Sequence, residues 1–195
     1  IAMQADKVIY IFGGSKYKEA SIAVAIMAFF PIHQTYGQLS GAVFYATGQT
    51  SLYRNIGVLF MLIGLPVTYF LIAPIDKWGL NAGATGLAIK MVLLNFVWVN
   101  VQLYFNAKFL KLSFWKYVGH QVSSVGGFLV AAFLATLFVD RVSVLSGYTI
   151  LSFLSAGILY TSMVIGIVYF LPVISGIKRQ DIRQLIQICV IKLKS

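Results

Sequence analysis

One lysine and two rows of polar side chains are the groups in this chain best placed to bind or polarise a ligand, and all lie within apolar stretches. Lys90 stands eight residues beyond Ala82, ~12 Å along a helix that rises about 1.5 Å per residue. A cation at mid-membrane costs roughly 2.5–3.5 kcal/mol on insertion scales. Two roles offset that cost. Lys90 snorkels to the outer headgroups, or it faces a water-filled cavity and binds an anionic group of a substrate. Gln34, Gln38 and Tyr45 fall at i, i+4 and i+11, and Asn95, Trp98, Gln102 and Asn106 succeed one another at intervals of 3, 4 and 4. Each row therefore occupies one helix face. Such a row either hydrogen-bonds helix to helix, at about 0.6 kcal/mol per contact, or lines an aqueous lumen and offers donors and acceptors to sugar hydroxyls. His33, two residues from Pro31, is either a hydrogen-bonded structural residue or a group that couples a proton. Gly37-x-x-x-Gly41 reads as a packing face, and Arg54 as an anchor to headgroup phosphate.

The elements that must position these residues are membrane-spanning helices. Five apolar stretches, residues 20–48, 52–73, 82–109, 117–139 and 148–171, fill most of the 195 residues, and about 20 apolar residues suffice to cross a ~30 Å hydrocarbon core. Apolar residues make up 59% and charged residues 10%, with a mean hydropathy of +0.87, against about 25% charged in soluble domains. A soluble core would show a charged face on each helix, whereas residues 58–73, 128–139 and 151–171 carry no charge at all. The expected fold is all-α: a polytopic membrane bundle of about five transmembrane helices plus an amphipathic C-terminal helix. Pro31 should kink or loosen the first span, and Pro66 should break the second in the same fashion. The small residues from Ala82 to Gly86 permit close packing. Pro, Asp, Gly and Asn across 74–81 make a tight extramembrane turn, and Lys108, Lys111, Phe114, Trp115, Lys116 and Tyr117 compose an interfacial anchor.

Charge orients the bundle. With five spans, Arg54, Lys108, Lys111, Lys116 and the tail residues Lys178, Arg179, Arg183, Lys192 and Lys194 share one side, nine basic residues in all. Lys7, Lys16, Lys18, Lys77 and Arg141 lie on the other, offset by Asp6, Glu19, Asp76 and Asp140. Basic residues favour the cytoplasmic face, so the C-terminus is expected there and the N-terminus outside. The chain opens at Ile1 without a signal peptide. It is therefore expected to be the C-terminal part of a larger transporter. Residues 1–19 would be the end of a preceding helix and an outer loop, 20–171 a five-helix transmembrane bundle, and 172–195 a basic amphipathic cytoplasmic tail.

Several chemistries are absent from the sequence. Cys189 is the single cysteine, so neither an intrachain disulfide nor a thiolate metal cluster forms within these residues. His33 and His120 lack zinc spacing, and no phosphate loop of the G-x-x-x-x-G-K-[ST] type occurs. The five carboxylates all flank the spans. An enzyme, a metal site, a cofactor and a nucleic-acid partner are accordingly not expected.

Two segments carry a resemblance. Tyr17 and Ala20 precede the first span, Pro31 lies within it, and YGQLSGAVFYATGQT runs from Tyr36 into a short turn. WGLNAGATGLAIKM, from Trp78 to Met91, opens the third span. Together they resemble the C-terminal half of bacterial polysaccharide-type (O-antigen, capsule or exopolysaccharide) flippases of the multidrug/oligosaccharidyl-lipid/polysaccharide exporter superfamily. The resemblance implies two helical bundles around a central cavity in the bacterial inner membrane. They would translocate undecaprenyl-diphosphate-linked oligosaccharide by alternating access, for lipopolysaccharide or other surface polysaccharide biosynthesis. The implied partners are the lipid-linked oligosaccharide, membrane lipids and the polysaccharide polymerase machinery. No family motif falls on Lys90, so its role rests on the residues alone. The candidate cavity comprises Lys90, Gln34, Gln38, Tyr45, Asn95, Gln102 and Asn106, with His33 for coupling. Rival readings are a cation-coupled multidrug exporter of the same superfamily, a membrane-embedded glycosyl- or acyltransferase, and a scaffold.

The charge asymmetry generates a topological prediction. In a Cys189→Ser background, Asn81→Cys and Ser113→Cys should react with an impermeant thiol reagent from opposite sides of intact cells. Labelling of both from outside would refute this orientation.

Overall fold

Four of the five apolar stretches fold as single helices long and apolar enough to cross a membrane. The computed structural model describes residues 1–142 and 148–171. Its helices are α1 (Ala5–Gly13), α2 (Ser21–Met27), α3 (Phe30–Ala46), α4 (Thr50–Ile72), α5 (Gly83–Phe109), α6 (Phe114–Arg141) and α7 (Thr149–Phe170), of which the last four are the long ones. Short 3-10 turns occupy Ala2–Gln4, Ser15–Ala20 and Ile75–Lys77, and no strand occurs among the described residues. The amphipathic tail expected at 172–195 lies outside the described residues.

The two prolines act differently. Pro31 lies in the first turn of α3, and the interruption falls just ahead of it, at Ala28 and Phe29. Without an N–H, Pro31 cannot bond the Met27 carbonyl, and its ring crowds that position. The Phe29 N–H turns instead to Ile26, three residues back. The first stretch is thus a broken pair, α2 and α3, and neither piece spans by itself. Pro66, expected to break its span likewise, sits inside an uninterrupted α4. Nearby, the Thr68 hydroxyl donates to the Gly64 carbonyl at 2.6 Å, which satisfies the hydroxyl within its own helix.

The burial pattern is that of a protein whose solvent is hydrocarbon. Met61, Leu65, Phe138 and Ile158 are each about two-thirds exposed (68%, 62%, 64% and 70%), while Gln102 and Ser152 are at most 1% exposed. Water would favour the reverse arrangement. Threonine and serine hydroxyls at Thr35, Thr136, Thr161 and Ser162 donate to the carbonyl four residues back, which satisfies them within their own helix. The chain is a multi-pass, all-α membrane protein.

The structure divides into two compact units, Ile1–Trp115 and the part from Lys116 onward. In the first, α5 is the shared partner, packing against α2, α3 and α4. The turn from α3 to α4 closes on Gly48 (φ 71°), with the Gln49 N–H on the Phe44 carbonyl and the Gly48 N–H on that of Tyr45. This pairing satisfies two terminal carbonyls of α3. The link from α4 to α5 folds back on α4. The N–H groups of Leu80, Asn81 and Ala82 donate to the Phe70, Ala73 and Leu71 carbonyls, so the exposed-looking turn caps its own helix. In the second unit, Gln121, Ser124, Ala131, Ala135 and Val139 of α6 and Ser152 and Ala156 of α7 are buried. Small residues of this kind let helices approach closely in a membrane.

The α4–α5 link sets a specific test. A Cβ at Gly79 would overlap the Ala73 carbonyl, whereas one at Gly57, inside α4, meets open space. Gly79→Ala should lower the melting temperature in detergent. Gly57→Ala should raise it or leave it unchanged, since alanine is favoured over glycine in a helix by up to about 1 kcal/mol. Equal effects from the two would contradict the close approach.

Candidate functional site

The second polar row lies in the contact between α3 and α5. Gly37 lets Val99 approach, for a Cβ there would come within 3.1 Å of the Val99 Cγ2. Around this contact His33, Ser40 and Phe44 of α3 are buried, as are Asn95, Gln102 and Asn106 of α5. The Asn106 amide donates to the Ser40 hydroxyl at 2.7 Å and to its carbonyl at 3.0 Å, and Asn95 reaches the Phe30 carbonyl at 3.5 Å. Gly41 lies against the Tyr53 hydroxyl of α4, where a Cβ would come within 3.1 Å. The Gly37-x-x-x-Gly41 face is a packing face, with its two glycines serving different partners.

The seam is only partly satisfied. Gln102 is fully buried, and neither its Nε2 nor its Oε1 has a hydrogen-bond partner among the described residues. The same holds for Asn106 Oδ1, Trp98 Nε1 and His33 Nδ1. His33 instead meets the Phe96 ring edge-on, with centroids 5.0 Å apart.

The first polar row does not join the second. Gln34, Gln38 and Tyr45 are exposed on α3, about a quarter-turn from its buried seam. Tyr45 is edge-on to Tyr53 of α4, with centroids 5.4 Å apart. One row is therefore open to its surroundings and the other is packed against α3, so the candidate cavity residues do not line a single space within this unit.

Lys90 occupies a third place, between α4 and α5. It lines an open groove of about 500 Å³ whose other walls are Pro66, Val67, Phe70 and Leu71 of α4 and Ile89, Leu93 and Leu94 of α5. Its Cε and Nζ extend over Gly64, 3.8 Å from where a Cβ would stand. Among the described residues no carboxylate pairs with it. Sequence reasoning misses Gly64: it is one of two glycines inside α4, with Gly57, and nothing in the sequence pairs it with Lys90. Ser40, the partner of Asn106, shows in the sequence only as one polar residue among several on α3.

The described helices hold no group of three or more His, Cys, Asp or Glu side chains suited to a metal ion. Neither a family model, nor a curated protein, nor a solved structure matches the chain.

The seam predicts opposite outcomes for neighbouring amides. Asn106→Ala removes two hydrogen bonds and should cost roughly 1–2 kcal/mol. Gln102→Leu removes two unpartnered polar ends and should be neutral or stabilising. Equilibrium unfolding in mixed micelles distinguishes them, and a large loss for Gln102→Leu would mean that its amide is satisfied.

Proposed function

We propose that this chain takes part in moving a lipid-linked, diphosphate-bearing oligosaccharide across the bacterial cytoplasmic membrane, as a portion of a two-bundle, alternating-access transporter with its C-terminus cytoplasmic. The observation that carries the reading is Lys90, a cation inside a membrane-spanning helix whose aliphatic stem lines an apolar groove and whose ammonium lies over Gly64. Such a surface complements an amphipathic anion. An aliphatic tail lies against Phe70, Leu71 and Leu93 while a diphosphate meets the ammonium, in surroundings where Coulomb attraction is poorly screened.

The exposed Gln34 and Gln38 supply donors and acceptors suited to sugar hydroxyls. Asn95, Gln102 and Asn106 act here as helix-packing residues. The carboxylates among the described residues are exposed and sit at helix ends or links: Asp6 in the first turn of α1, Glu19 in a 3-10 turn, Asp76 in the α4–α5 link and Asp140 near the end of α6. That placement favours an anionic lipid-linked substrate over the cation-coupled drug exporter.

The test is surface polysaccharide produced by Lys90 variants at normal expression. Lys90→Arg should retain part of the activity because the charge remains. Lys90→Ala, Lys90→Leu and Lys90→Glu should abolish it. Near-normal polymer from Lys90→Leu would reduce Lys90 to an anchor and remove the basis of the reading.

A further inference from the structure

Near the opposite end of α5 from Lys90, a second open groove of about 450 Å³ is walled by Phe96, Val97, Val101, Tyr104, Phe105 and Phe114. Asn100, the one amide in its lining, donates to the Phe96 carbonyl at 2.9 Å and so leaves the surface largely apolar. The groove is braced at both ends. Phe96 rests on the His33 ring, and Phe114 meets Tyr104 edge-on with centroids 5.7 Å apart.

Phe114 is brought there by the link after α5. The Leu110 and Leu112 N–H groups donate to the Asn106 and Ala107 carbonyls, and Lys111 takes the left-handed conformation at φ 55°. Val97, Val101, Tyr104 and Lys108 recur at helical spacing, so Lys108 sits on the groove's own row, one turn beyond Tyr104. Lys108 and Lys90 are ~27 Å apart along the helix.

From these features we infer a binding site for an anionic phospholipid, with one acyl chain in the groove and its phosphate at Lys108 and Lys111. Two arguments select this occupant. The lining on α5 runs from Phe96 to Phe105, ~14 Å along the helix, and Lys108 follows within another turn, so groove and lysine together cover about half of the ~30 Å hydrocarbon core, the depth of one leaflet. Its charge is unopposed along the chain, since no Asp or Glu occurs between Asp76 and Asp140. Lysines at the membrane surface attract anionic lipid, and the aromatic walls hold the chain below. The site rests on membrane embedding alone and is independent of the transport reading.

Native mass spectrometry of the full chain in detergent tests the site, with phosphatidylglycerol and phosphatidylcholine of matched acyl chains supplied equally. The wild type should retain phosphatidylglycerol severalfold over phosphatidylcholine. Lys108→Gln/Lys111→Gln should abolish that preference with an unchanged melting temperature, both lysines being exposed. Val101→Trp fills the groove and should reduce retention of both lipids. Val97→Trp, at the half-exposed end of the groove, repeats the test should Val101→Trp melt early. The site is overturned by equal retention of the two lipids in the wild type, by a preference that survives the double lysine variant, or by retention insensitive to both tryptophans. Displacement of phosphatidylglycerol by an equimolar polyprenyl phosphate would also overturn it, by assigning the groove to the transport substrate. So would a dimer that the tryptophan variants dissolve, which would assign the face to a second copy.

Discussion

Everything in the first unit depends on how a helix can hold partners when its solvent is as apolar as its side chains. In hydrocarbon, burying a leucine gains nothing over leaving it in lipid, so association must come from close approach and from hydrogen bonds. α5 meets α2, α3 and α4 on those terms. Gly86, Ala88 and Ala107 are small residues buried on α5, and Asn95 and Asn106 reach across to carbonyls of α3. The large apolar residues are left to face outward, where lipid covers them.

This solution has a cost at Gln102, buried with both ends of its amide unpartnered. An unmet amide in a low-dielectric interior is expensive, and its neighbours return little of that cost, since Trp98, Asn106 and His33 each leave an atom unpaired as well. The seam is therefore held by fit, through Gly37 against Val99, more than by its hydrogen bonds. Its strongest polar contact is the pair from Asn106 to Ser40, near the end of α3 that Gly48 caps.

The two cationic positions on α5 belong to different physical settings. Lys90 extends over Gly64 beside a groove between two helices, inside a membrane-spanning segment where a charge is weakly screened. Lys108 is exposed one turn beyond Tyr104 of the second groove, close to the end of α5. The proposed transport role rests on the first and the inferred lipid site on the second.

Without a fold, the legible features were those that depend on local composition. Lengths of apolar stretches, the lack of charge within them and the punctuation by Gly48 and by the 74–81 turn suffice for an all-α, multi-pass protein, because a hydrocarbon core admits so few backbone solutions. Proline chemistry was legible only in part. Pro31 and Pro66 look alike in sequence, yet one lies at a helix start and the other inside a helix, because the response to a lost hydrogen bond depends on the surrounding packing. The polar rows mark the limit. Spacings of 3, 4 and 4 place Asn95, Gln102 and Asn106 on one face, but a row packed against a neighbour and a row lining a lumen have the same period. Only the pairing of α3 with α5 buries that row and leaves Gln34, Gln38 and Tyr45 outside. The same holds for Lys90: its depth comes from counting residues, while its place over Gly64 required α4 to lie alongside.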